Sequence, residues 1–255
     1  MKVNKIKEKL VQRLQNYCKE NHFQDVILGL SGGLDSALVL ALACEAVGPQ
    51  HVHTLMMKTK YTSLESVNLA QQIANLNRID HKTIDIQPLV DNFLETIDFK
   101  SKNPITEQNI QARIRGNILM MYSNEKNYLL LACGNKSEIA MGYCTLYGDT
   151  CGGLLPIGDV YKTTAYELAN LFNQEGKFLI PTKIIKRKPS AELATNQYDT
   201  DSLPPYEVLD EILKSYIYGT KKPTQNDVEL VSSIQKRYEK NKFKRVQLPP
   251  ILSLD

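Results

Sequence analysis

Residues 25–40 read DVILGLSGGLDSALVL. The first six, DVILGL, are a short apolar run and predict a buried strand. From Ser36 to Val47, SALVLALACEAV predicts an apolar helix. Between them Gly32 and Gly33 form a turn. Glycine reaches backbone angles closed to other residues and lets a ligand come close to the main chain. Successive N–H groups in such a turn cradle anionic oxygens, and the helix N-terminus adds the positive end of its dipole. Ser31 and Ser36 add hydroxyls. Asp35 would be repelled by a phosphate unless a cation stood between them, and Mg²⁺ is the natural bridge. No lysine lies between Gly29 and Val47, so this is not the GxxxxGK[ST] loop. The turn suits a pyrophosphate better than a transferred γ-phosphoryl group.

Outward from the turn, helices and strands alternate. Residues 4–21 predict an amphipathic helix with Ile6, Leu10, Leu14 and Tyr17/Cys18 on one stripe. HVHTLMM (51–57) is a second strand. Thr62 and Glu65 read as a capping box opening a helix with Leu64, Val67, Ala70, Ile73 and Ala74 inward. HKTIDI (81–86) is a third strand, residues 87–97 and 107–124 are helices, and YLLLAC (128–133) is a fourth strand. The order β-α-β-α-β-α-α-β predicts an α/β fold, a Rossmann-like parallel sheet with helices on both faces. Ligands in such sheets bind at the carboxyl ends of the strands, where strand order reverses. Residues 134–156 read as a functional loop, 163–172 as a helix, 183–205 as a polar loop, and 207–218 and 224–240 as helices. No linker divides the chain, so residues 1–255 are expected to form one domain.

Composition narrows the classes. Of 255 residues, 42% are hydrophobic and 23% charged, ordinary globular values. No apolar run approaches ~18 residues, so no membrane helix is expected. The charged N-terminus has no apolar core like that of a signal peptide, and a cytoplasmic protein is expected. Cys18, Cys44, Cys133, Cys144 and Cys151 include no CxxC pair, and His22, His51, His53 and His81 are scattered. A zinc or iron–sulfur site is not expected. A net charge of +3 is too mild to imply nucleic-acid binding. Lys236, Arg237, Lys240, Lys242, Lys244 and Arg245 crowd together and read as a solvated face or as a patch for a small anion.

Four further segments carry chemistry. In NIQARIRGN (109–117), Arg113 lies one turn from Asn109 and Asn117. With Ile110, Ile114 and Met121 as the buried stripe, Arg113 falls on a polar face. In GNKSEIAMGYCTLYGD (134–149), Glu138 follows the fourth strand and could give a second carboxylate to the metal. In LPIGDVYKTTAYELA (155–169), Lys162 opens a helix, where the dipole disfavours an ammonium, so an anionic partner is expected. KPSAEL (188–193) sets Ser190 in a proline-fixed turn.

SGGLDS resembles the SGGxDS signature of the N-type ATP pyrophosphatase superfamily, whose fold is described as adenine nucleotide α-hydrolase-like. With NIQARIR, GNKSE, GYCTLYGD, PIGDVYKT and KPSA in this order, nearly the whole chain is similar to the ammonia-dependent NAD synthetase family. That resemblance implies a C–N ligase in NAD biosynthesis. The nicotinate carboxylate of deamido-NAD attacks the α-phosphorus of ATP and releases pyrophosphate. Ammonia then displaces AMP to give NAD⁺. It implies ATP contacts at Gly29, Leu30, Ser31, Gly32, Gly33, Leu34, Asp35, Ser36, Cys133, Lys162 and Ser190. It places Mg²⁺ on Asp35 and Glu138, deamido-NAD on Arg113 and Lys244, and catalytic roles on Asp35, Glu138 and Lys162. It also implies a homodimer with the dinucleotide site at the subunit interface, which brings Lys244 within reach of a neighbour's site.

Departures from the family stand at Ala132-Cys133, where many members have Gly-Thr, and at Leu146, Gly153 and Phe243, where lysine, aspartate and histidine occur. A chain of 255 residues has no room for a nitrilase-like glutaminase domain, so the expected nitrogen donor is free ammonia, or ammonia passed on by a separate glutaminase. GMP synthetase is the runner-up among amidating enzymes. A non-catalytic nucleotide-binding module is the alternative of another class. The tRNA-modifying members fit less well, because cysteine pairs are missing and the charge is mild.

Overall fold

The computed structural model describes residues 1–98, 102–219 and 227–254. Four strands, β1 (Val26–Gly29), β2 (Val52–Lys58), β3 (Asp80–Asp85) and β4 (Leu129–Leu131), form one parallel sheet in the order β3-β2-β1-β4. The apolar runs of β1 and β4 are buried on both faces, as central parallel strands require. The polar β3 lies at the edge.

Helices cover both faces, as the alternating pattern predicted. Val26, Leu28, Leu129 and Leu131 point to a core shared with α1 (Val3–Glu20), α2 (Leu34–Val47), α3 (Leu64–Asn77) and α7 (Lys162–Glu175). Ile27, Leu55, Met57 and Leu130 point the other way, onto α5 (Pro104–Lys126), against which α4 (Gln87–Ile97) packs. Helix α2 is apolar all round because it lies under α1 and α7 as well as on the sheet. A satellite core joins α6 (Lys136–Ala140) to α9 (Tyr206–Tyr218) and α10 (Val228–Lys240). Two short helices, α8 (Thr182–Lys186) and α11 (Lys242–Arg245), complete the set.

Several local expectations change. Helix α2 begins at Leu34, which puts Asp35 and Ser36 in its first turn. Helix α3 is capped by Ser63, whose hydroxyl accepts from the Ser66 N–H at 3.1 Å, so no Thr62–Glu65 box forms and Leu64 is exposed. Thr62 instead accepts from the Thr59 N–H. On α5 the buried positions are Gln111, Ala112, Gly116 and Leu119, while Met121 is exposed and Ile110 and Ile114 are half-buried. The helix is turned because Gly116 packs its backbone on the 147–148 turn; an added Cβ would stand 3.0 Å from the Gly148 carbonyl oxygen. The loop at 134–156 contains α6, and its end pairs with β4 through Leu154. The loop at 183–205 opens within α8. Residues 224–226 of the last long helix lie outside the described residues, and α10 is described from Val228. No described helix is long and apolar enough to cross a membrane.

Candidate active site

Strand order reverses between β1 and β4, so the segments that follow these strands meet at one edge of the sheet. After β1 the chain turns at Gly32, with φ 78°. A Cβ there would stand 2.4 Å from the Ser66 carbonyl oxygen, so both the angle and the room call for glycine. Ser31 and Ser36 hold the turn: their hydroxyls are 3.1 Å apart, Ser36 donates to the Gly33 carbonyl, and Gly33 N–H donates to Ser31. Gly33 is the N-cap of α2 and supplies no side-chain cap. The first N–H groups of the helix are thus left for an anion.

After β4, Asn135 caps α6 by accepting from the Glu138 N–H at 3.0 Å. Lys162, at the start of α7, is 3% exposed and sends its ammonium between two carboxylates. Its Nζ is 2.5 Å from Asp35 Oδ2 and 3.2 Å from Glu138 Oε1. The expected anionic partners of Lys162 are therefore on the protein itself. Burial alone would lower the lysine's pKa, but Asp35 and Glu138 outweigh it and hold the pKa above the usual range. Glu138 is pushed up to about 8 by burial; Lys162 opposes this, and Asp35 and Asp199 add to it. Asp35 Oδ1 is buried without a partner.

Cys133 is half-buried at the same edge, and burial together with Asp35, Glu138 and Asp149 keeps its thiol protonated. Ser190 donates to the Gln197 carbonyl at 2.5 Å and accepts from the Glu192 N–H, so its hydroxyl fastens its own loop. Arg113 is exposed, and its Nε donates to the Leu146 carbonyl at 3.2 Å. Lys244 donates to the carbonyls of Gly142 at 2.8 Å and Cys144 at 2.6 Å. It does not act alone: Arg237 and Asn241 bond the Met141 carbonyl, and Arg245 bonds that of Ala140. The basic run is thus neither a purely solvated face nor an open anion patch. Three of its cations hold the chain that follows Glu138.

Sequence reasoning missed other residues at this edge. Arg187 reaches Ser66 Oγ at 2.8 Å and Glu192 at 2.9 Å, and its Nη1 is 3.5 Å from the Gly32 carbonyl. Tyr206 donates to Asp199 at 2.7 Å, lies 3.4 Å from Glu138 Oε1 and sets its ring 5.2 Å from the Lys162 Nζ. Asp199 and Tyr206 carry no local pattern, and the only hint of extra acids was the awkward placement of Lys162. His51 and His53 are half-buried. They bond Asp25 at the start of the strands, away from the glycine turn. Among the described residues, no group of three His, Cys, Asp or Glu could hold a metal ion by itself.

This arrangement leaves free main-chain N–H groups facing an anion, beside a buried ammonium already paired with two carboxylates of the chain. The chain is 44% identical over 247 residues to the glutamine-dependent NAD(+) synthetase of Thermotoga maritima, a match covering 93% of this chain and 43% of that protein. The chain thus spans less than half the length of that curated relative. The NH3-dependent NAD synthetase of Campylobacter jejuni superposes with a TM-score of 0.80 at 31% identity, covering 98% and 99% of the two chains. An NMN synthetase from Francisella tularensis superposes at 0.84 with 27% identity, covering 96% of each. The NAD synthase family model matches residues 6–249, and the chain belongs to that family.

Proposed function

We propose that the chain is an ATP-dependent C–N ligase that converts deamido-NAD to NAD⁺ with ammonia, releasing AMP and pyrophosphate. The observation that carries this reading is the buried Lys162 ammonium held by Asp35 and Glu138 beside an uncapped helix N-terminus. A carboxylate is a poor electrophile, and adenylation gives it a leaving group. The main-chain N–H groups of the turn and of the first turn of α2 bind phosphate oxygens. Lys162 stabilises charge that grows on the departing pyrophosphate, in a site where little water screens it.

The residues fit Mg²⁺. The unpartnered Asp35 Oδ1 is a free hard ligand, and Glu138 supplies a second carboxylate. Two carboxylates complete a magnesium shell only with phosphate oxygens and water, which is the usual arrangement in nucleotide sites. When bound, the ion neutralises phosphate charge. Asp35 and Glu138 would hold it, and Lys162 keeps the two carboxylates together. The remaining assignments follow the family: Ser31, Ser36, Cys133 and Ser190 toward ATP, Arg113 and Lys244 toward deamido-NAD, the latter within a homodimer in the cytoplasm. The ammonia reading is supported by the Campylobacter protein, named NH3-dependent and 31% identical to this chain. The Thermotoga protein, named glutamine-dependent, leaves glutamine as the competing nitrogen donor.

A second acceptor is favoured by one observation. Lys244 is already engaged with two carbonyls of its own chain, and Leu146 and Gly153 replace side chains that contact the dinucleotide in some members. The Francisella protein is described as an NMN synthetase, so nicotinate mononucleotide is the competing acid. One assay decides. Purified chain, ATP, Mg²⁺ and ammonium are incubated in turn with deamido-NAD, nicotinate mononucleotide and xanthosine monophosphate. The proposal expects the largest kcat/KM with deamido-NAD; preference for either other acid overturns the choice of acceptor.

A further inference from the structure

Helix α7 has an unusual beginning. Its N-cap residue, Tyr161, gives no side-chain cap, yet the first two N–H groups are both bonded. The partners come from two other helices. Lys162 N–H donates to Ser137 Oγ on α6 at 2.9 Å, and Thr163 N–H donates to Asp210 Oδ2 on α9 at 2.9 Å. The Ser137 hydroxyl in turn donates to Asp210 Oδ1. Ser137 is fully buried and Asp210 is 1% exposed, while Thr163 is half-buried. A third tie, Lys136 N–H to the Val160 carbonyl at 2.9 Å, joins the start of α6 to the turn before α7.

The residues bridged in this way are the neighbours of the site. Ser137 precedes Glu138, and the two capped amides belong to Lys162 and Thr163. Tyr206, four residues before Asp210, comes from the same helix to meet Glu138 and the Lys162 ammonium. One carboxylate, with its two oxygens committed to two different helices, thus fixes both backbones from which the ion-paired side chains project. A buried carboxylate is costly unless it is well bonded, but at a helix N-terminus the dipole favours it. Asparagine would keep the shape but could accept only one of the two bonds.

We propose that Asp210 is a positioning residue for Lys162, capping α7 from outside while holding Ser137. This rests on the reading of Lys162 as a ligand of the ATP phosphates. The consequence is that Asp210 acts on turnover through Lys162, though it reaches no substrate.

The test is a double-mutant cycle on the full chain, with kcat for AMP formation measured in the parent, Asp210→Asn, Lys162→Met and the double variant. Asp210→Asn is expected to lower kcat by roughly tenfold to a hundredfold, the size of effect that small misplacements of a catalytic group produce. In the Lys162→Met background the same change should cost less than about twofold, because the group it positions is gone. Equal losses in both backgrounds would show a merely structural role and overturn the proposal. Ser137→Ala gives a milder second variant should Asp210→Asn fold poorly, with the same non-additivity expected. Amide exchange supplies an arm independent of activity: in Asp210→Asn, protection should fall at Lys162 and Thr163 and persist in the rest of α7. If the parent chain forms no AMP, the proposed activity fails by itself and this arm judges the cap. An unchanged exchange pattern, or loss along all of α7, would then overturn it.

Discussion

The balance at Lys162 is decided by three side chains. A buried lysine alone tends to lose its proton, because burial penalises the charged form. Here Asp35 and Glu138 reverse that outcome, and Lys162 stays charged. Glu138 carries the cost: its pKa rises from the ordinary 4.5 to about 8. A folded state that holds a proton more tightly than the unfolded chain is favoured at low pH. The contribution of Glu138 to stability is therefore complete below about pH 4.5 and is lost as pH rises through about 8. Glutamine at this position cannot ionise. In Mg²⁺-free protein, urea unfolding should show Glu138→Gln gaining stability relative to the parent as pH goes from 5 to 8. Parallel profiles would contradict the assignment. At this scale the sequence was informative where chemistry and backbone demands coincide. Gly32 needs its angle, Asp35 needs a cation, and Lys162 at a helix start needs an anion. Asp199, Tyr206 and Asp210 were not legible, because a buried acid or tyrosine has no mark when its partners lie far away along the chain.

At the scale of elements, α10 and α11 act as a clamp on the turn after α6. Helix α6 is only five residues long, and the chain from its last residue onward carries carbonyls that need partners from elsewhere. Arg237, Asn241, Lys244 and Arg245 supply them to residues 140–144. Replacing Lys244 by methionine removes two charged hydrogen bonds to backbone oxygen. Since the group is half-buried, the expected loss is about 1–2 kcal/mol, read as a lower urea midpoint. A rise in the KM for deamido-NAD with an unchanged midpoint would show that the lysine serves substrate and contributes nothing to the clamp. The pattern of basic residues could not distinguish these roles, because a cation facing carbonyls and a cation facing solvent look alike in sequence. Similar reasoning explains α5. Apolar spacing selected Met121, yet close packing at Gly116 set the rotation of the helix and left Met121 in solvent.

Over the whole molecule, the alternation of apolar strands and helices sufficed for a parallel sheet covered on both faces. It also placed the glycine turn and Glu138 at the strand-order reversal. The satellite core of α6, α9 and α10 was not foreseen, since its contacts join segments 70 to 100 residues apart. That second core matters to function because it holds the partners of Glu138 and Lys162. The proposed chemistry turns on one step: ATP is cut between its α- and β-phosphates to activate a carboxylate. Phosphorus NMR of the parent chain with ATP, Mg²⁺, deamido-NAD and ammonium, alongside NAD⁺ quantitation, tests it directly. AMP, pyrophosphate and NAD⁺ are expected in equal amounts, with glutamine alone giving none of them. Formation of ADP and inorganic phosphate, or of NAD⁺ without matching AMP, would contradict it.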